Sequence, residues 1–94
     1  MVRVMIERRV AEGMVEAYQR SVREMRYEAL RHEGYISGET LRDVADAHHY
    51  VIISTWADPV AWQRWASSEA RQRVMRRIAP LLEEPERVTV FEPA

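Results

Sequence analysis

From His48 to Trp56 the chain reads His-His-Tyr-Val-Ile-Ile-Ser-Thr-Trp, rich in the aromatic and β-branched residues that favour strands. Side chains alternate across a strand, so one face carries His48, Tyr50, Ile52, Ser54 and Trp56. The other carries His49, Val51, Ile53 and Thr55. Both faces hold large apolar groups, which a strand with one wet face does not need. Helices of the same chain can cover one of them. A chain of 94 residues has little left to cover the other. A homodimer that presses sheet against sheet supplies the missing layer.

The remaining segments fit around that strand. Val2 to Arg8 alternates with a period of two and reads as the first strand, and Gly13 marks the turn after it. From Met14 to His32, apolar residues fall at Met14, Tyr18, Val22, Met25 and Ala29, one face of an amphipathic helix. Gly34 suits a left-handed cap. Tyr35 to Val44 is a second strand, weakened at Gly38. After the third strand, Asp58-Pro59 gives an N-cap followed by proline at the first helical position. That short helix ends near Ser67-Ser68, where either serine can cap the next, from Glu69 to Leu82. Pro80 kinks or ends this helix, and Pro85 isolates a last strand from Arg87 to Glu92. The order β-α-β-β-α-β predicts one α+β domain over residues 1–94, ferredoxin-like, with helices on one face of a four-stranded antiparallel sheet.

Composition removes several chemistries. Without cysteine there are no disulfides, thiolate nucleophiles or thiolate metal sites. Every basic residue is arginine, so no lysine serves a Schiff base or a P-loop. A formal charge of −1 gives no general attraction to nucleic acid or anionic membrane. The N-terminus is too short and charged for a signal peptide, and no apolar run reaches membrane-spanning length. The expectation is a cytoplasmic protein with neither nucleic-acid nor membrane partners.

His48 and His49 are neighbours on a strand and point to opposite faces, so they do not converge on one metal ion, and no metal site is expected. Arg64, Arg71, Arg73, Arg76 and Arg77 form a basic cluster suited to a solvated helix face, or to a pocket mouth drawing an anion. No nucleophile elbow, dinucleotide fingerprint or Walker sequence occurs. What remains is aromatic. Trp62 and Trp65, three apart, share a helix face, and Tyr18 and Met25 lie on the facing helix. Either they fill a plain core, or they wall an apolar cleft suited to a flat aromatic ligand.

The chain resembles the antibiotic biosynthesis monooxygenase family of dimeric α/β barrels. The resemblance rests on Gly34 to Glu39 (Gly-Tyr-Ile-Ser-Gly-Glu), Ser54 to Trp56 (Ser-Thr-Trp) and the Ala-Trp-x-x-Trp helix start within Asp58 to Trp65. Ser67 and Ser68 follow, and a Pro-x-x-Val-x-Val-aromatic strand from Pro85 to Phe91 completes it. It implies a small oxidoreductase of the monooxygenase type, acting as a homodimer on a planar aromatic or quinol-type substrate without metal, flavin or other cofactor. An electron-rich phenolate can itself reduce dioxygen, so the protein need only bind the ring, favour its deprotonation and exclude water. Trp65 and Trp62 would stack on or wall the ring, Arg8 is the candidate partner for a phenolate or carbonyl oxygen, and His49 is the candidate base. Family members that degrade haem pair the tryptophan matched by Trp65 with a histidine ten residues later and an asparagine on the first strand. Here the tenth residue is Met75 and the chain has no asparagine, so the haem ligand does not carry over. Two other readings remain: a non-catalytic dimeric domain that binds or senses a small ligand, and a structural dimer whose cleft is filled by its own side chains.

Overall fold

A computed structural model describes residues 1–94. The first strand, β1 (Val2–Arg9), buries Val2, Val4, Ile6 and Arg8 on one face and turns Arg3, Met5, Glu7 and Arg9 to the other. β1 lies in the middle of a four-stranded antiparallel sheet with β3 (His49–Trp56) on one side and β4 (Arg87–Phe91) on the other. β2 (Tyr35–Arg42) completes the order β2-β3-β1-β4. Three helices, α1 (Val15–Leu30), α2 (Pro59–Ala66) and α3 (Glu69–Ile78), follow in the ferredoxin-like succession. No helix is long and apolar enough to cross a membrane.

Local chemistry sets the element ends. Gly13, with φ of +81°, turns the chain into α1, whose buried stripe is Tyr18, Val22, Met25 and Ala29. Asp58 accepts a hydrogen bond from the Ala61 amide at 2.8 Å and Pro59 starts α2. Ser68 accepts from the Arg71 amide at 3.1 Å and starts α3. The predicted helix to Leu82 stops at Ile78 and tightens into a 3₁₀ turn, Ala79–Leu81, because Pro80 has no amide hydrogen to continue the ladder. Leu82 then bridges to Val10 and seals the end of β1.

Gly34 does more than end a turn. Its φ is +89°, and a β-carbon there would lie 2.4 Å from the Ala61 β-carbon. Its bare backbone thus lets α2 sit directly against the start of β2, where the Ala57 amide donates to the Gly34 carbonyl at 2.8 Å.

β2 carries a bulge between Tyr35 and Ser37. An extra residue inverts the facing of everything beyond it. Tyr35 therefore lies inward against Trp56, ring centroids 5.2 Å apart, while Gly38, Thr40 and Arg42 share the same face further along. The inward face of β3 is Tyr50, Ile52, Ser54 and Trp56, and it packs beneath the helices. Its outward face, with half-buried Val51 and Ile53, has no cover within the chain. Half-exposed Leu41 and Phe91 flank it on β2 and β4, in register with that face.

Candidate active site

The helices do not close fully on the sheet. A cleft runs between α1, α2 and the inward faces of β1, β2 and β3. Met25, Trp62 and Trp65 line it from the helices, and Tyr35, Ile52 and Trp56 from the sheet. Trp56 is held by its indole N–H, which donates to Ser54 Oγ at 3.0 Å. Trp65 lies nearly parallel to Trp56, centroids 6.2 Å apart, and Trp62 meets Trp56 edge-on at 5.8 Å. His32, two residues beyond α1, meets the Trp65 ring edge-on at 4.7 Å. The tryptophans are at once core and wall: all three belong to the buried cluster and all three face the cleft.

The cleft is narrow. Space for the centre of a water-sized sphere is about 50 Å³, enough for a few waters and too little for a fused ring system. A second, open hollow of about 480 Å³ adjoins it. The two share Val22, Arg26 and Thr40 as common walls.

Arg8 and Arg71 line the polar end of the cleft and share one carboxylate, Glu86, which lies outside its lining. Arg8 donates from Nε to Glu86 Oε1 at 2.9 Å, and Arg71 donates from Nη2 to Glu86 Oε2 at 2.8 Å. The Arg8 side chain is 1% exposed and that of Arg71 10%. Burial pushes the Glu86 carboxyl up, but the two guanidinium groups outweigh it and hold the acid below the ordinary glutamate range. The ionised cluster therefore carries a net positive charge of one, beside an apolar space where charge is poorly screened. Arg8 also donates to the Tyr18 hydroxyl at 3.3 Å, and Arg71 lies over the Trp62 ring at 5.7 Å. Burial pushes the Tyr18 hydroxyl up, against the pull of Arg8, so it stays protonated and its own hydrogen remains free to donate.

Of the residues singled out from sequence, Trp62, Trp65, Met25 and Arg8 come together around the cleft. Tyr18 lies off it, in the adjoining hollow, and meets the cleft through Arg8. His49 does not reach it at all. Its position on β3 is outward, and its Nδ1 sits 2.9 Å from Asp43 Oδ2, whose carboxyl that hydrogen bond holds below the ordinary range. The structure thus corrects the placement of His49 as a base beside the ring. The basic cluster also divides. Arg73, Arg76 and Arg77 pair with Glu28, Glu69 and Glu24 at the surface, whereas Arg71 turns inward. Its position was readable, since Arg71, Val74 and Ile78 lie at helical spacing on the buried face of α3. Glu86 follows Glu83-Glu84-Pro85 and gave no such signal.

The antibiotic biosynthesis monooxygenase family model matches residues 1–77, leaving β4 outside the matched segment. No curated protein matches the chain. Among solved structures, a conserved protein from Methanosarcina mazei Go1 is similar with a TM-score of 0.94 at 14% identity, covering 99% of this chain and 92% of that one. SnoaB, a cofactor-independent oxygenase from Streptomyces nogalater, is similar with a TM-score of 0.86 at 16% identity, covering 99% and 94%. A Pseudomonas aeruginosa protein reaches 0.85 at 22% identity, covering 99% and 93%. At these identities the structural likeness establishes the shared fold. With the family model spanning most of its length and the sheet order and helix succession in agreement, the chain belongs to the antibiotic biosynthesis monooxygenase family.

Proposed function

We propose that the protein is a small monooxygenase that oxidises a planar, electron-rich phenol or quinol in the tryptophan-walled cleft, using dioxygen without metal or flavin. The observation that carries this reading is the juxtaposition of that cleft with a buried pair of arginines sharing one carboxylate. The ring stacks among Trp56, Trp62 and Trp65, and its oxygen lies toward Arg8 and Arg71. Their net positive charge favours the phenolate, whose proton leaves to solvent. Glu86 is too acidic to serve as the base, and its task is to hold the two arginines in place. The phenolate passes one electron to dioxygen. The resulting radical pair joins at a ring carbon bearing hydrogen, and the peroxide takes up a proton and loses water. A phenol and one dioxygen thus become a quinone and one water, with every atom accounted for. 9-Anthrol, the enol of anthrone, is a suitable probe. The protein should speed its conversion to anthraquinone well above the uncatalysed rate, with one dioxygen consumed per quinone. Binding of the ring without any such acceleration would instead favour a non-catalytic binding or sensing domain, a reading helped by the absence of a histidine in the cleft.

The working unit under this proposal is a two-fold dimer closed through the outward face of the sheet. Met5, Val51, Ile53, Leu41 and Phe91 lie on that face by register, and nothing in the chain covers them. Sedimentation should give a species of twice the 11.1 kDa chain mass. Ile53→Glu should return it to the monomer while the helical signal persists. A wild-type protein that sediments only at the chain mass would remove the dimer.

A further inference from the structure

The open hollow beside the cleft has a composition of its own. Arg23 and Arg26 come to it from α1 and Arg42 from the inward face of β2. No acidic residue lines it, and none of these three arginines has a carboxylate within ion-pair reach, unlike Arg8, Arg71 and the surface arginines of α3. Tyr50, directly opposite Arg42 in the strand register, also lines the hollow. It is 4% exposed, and its hydroxyl is the one buried side-chain polar atom of the protein without a hydrogen-bond partner. Buried donors are ordinarily satisfied, so an orphan on a residue that lines the same hollow as three arginines without ion-pair partners marks a place where an acceptor is missing.

We propose that this hollow receives a carboxylate carried by the ring substrate, so that the protein selects aromatic acids over their neutral counterparts. The inference rests on the ring-binding role proposed above for the tryptophan cleft, and specifies the substrate class. Arg26 is the link between the two spaces. It is a wall of both, and its Nη2 donates to the Gly38 carbonyl at 2.8 Å across the gap between α1 and β2. A carboxylate is a stronger acceptor for a guanidinium than a neutral carbonyl, and takes it in a two-point fork. When the substrate's acid group draws Arg26 from Gly38, the wall between the narrow cleft and the wide hollow opens. The ring then gains the room that the cleft alone lacks. Arg42 and Arg23 complete the cationic mouth, and the geometry leaves the ring's phenol end toward Arg8.

Quenching of the cleft tryptophans by 1-hydroxy-2-naphthoate and by its methyl ester tests this, since the two probes share the ring and differ in the charge. Wild-type protein should bind the acid about tenfold more tightly than the ester, in line with a charge-assisted hydrogen bond made by one and not the other. The preference should shrink as salt rises, because these arginines are exposed. Arg26→Gln with Arg42→Gln should bring the ratio close to one, and Arg42→Gln alone, on an edge strand, should lower it part of the way. Inorganic sulfate should compete with the acid and leave the ester untouched. Equal binding of acid and ester by the wild-type protein would overturn the carboxylate seat and leave the ring cleft standing. So would a preference that survives both substitutions. Failure of both probes to quench would overturn the ring cleft and this inference together.

Discussion

Replacing Glu86 with alanine is expected to cost about 3–5 kcal/mol of folding stability, because it leaves two guanidinium groups in a poorly solvated place with no counter-charge. That is a large part of the roughly 5–15 kcal/mol that holds a domain of this kind together. For a chain of this length it should lower the melting temperature by at least about 12 °C. Glu86 makes both partners' bonds at once, so neither arginine has a substitute acceptor of comparable strength; Arg8 keeps only the Tyr18 hydroxyl and the Met75 sulfur. The same carboxyl predicts a pH dependence. Its folded pKa lies below the ordinary glutamate value of 4.5. The stability it contributes is therefore complete above that value, and is lost as pH falls from there toward the folded pKa. Urea unfolding at neutral pH and again in acid should show the gap between wild type and Glu86→Gln narrowing on acidification. A gap that stays constant through that range, or widens, would mean that the carboxylate is not what holds the arginines.

The fold was legible because its signals are local. The alternation of Val2 to Arg8, the helical spacing of Tyr18, Val22, Met25 and Ala29, and the Asp58-Pro59 and Ser68 caps each act within a few residues. The observed elements fall within a few positions of those signals. The bulge at Tyr35 and Ser37 was not legible, since a run of strand-favouring residues does not disclose a change of phase within it. Yet that bulge decides that Tyr35 faces Trp56 while Gly38, Thr40 and Arg42 face the helices.

The cleft's lining was legible where helical spacing governs it. Trp62 and Trp65 announce themselves by spacing, and the buried face of α3 contains Arg71 by the same rule. The ion cluster is different, because Arg8 and Glu86 are separated by 78 positions and meet only when β4's lead-in crosses beside β1. Nothing within a few residues of either predicts that meeting. His49 shows the converse: its chemistry suited a base, but strand parity sends it to the outward face with Asp43. Parity could be counted from sequence; which parity faced the helices depended on the packing of the whole sheet.

Substitution of Trp65 by alanine is expected to cost about 3–5 kcal/mol, the range for removing a large buried aromatic ring. Trp65 is 3% exposed and touches both Trp56 and His32 with its ring. A residue that only fills a core would show this loss and nothing more. Trp65 also lines the cleft, so the vacated volume joins an existing cavity. Free indole should therefore enter the Trp65→Ala protein and raise its melting temperature as its concentration grows, the stabilisation reaching about 2.7 kcal/mol at a hundred times its dissociation constant. The wild-type protein, whose cleft is narrow, should respond far less to indole. The milder Trp65→Phe keeps a ring in place and should lose about 1–3 kcal/mol of stability. Its binding of 1-naphthol should weaken about fivefold through lost stacking, on the order of 1 kcal/mol. Tryptophan quenching by 1-naphthol, run beside thermal melts, separates the two roles. Lowered melting with unchanged 1-naphthol affinity in Trp65→Phe, and no indole rescue in Trp65→Ala, would reduce Trp65 to a core residue and take the wall of the proposed site away.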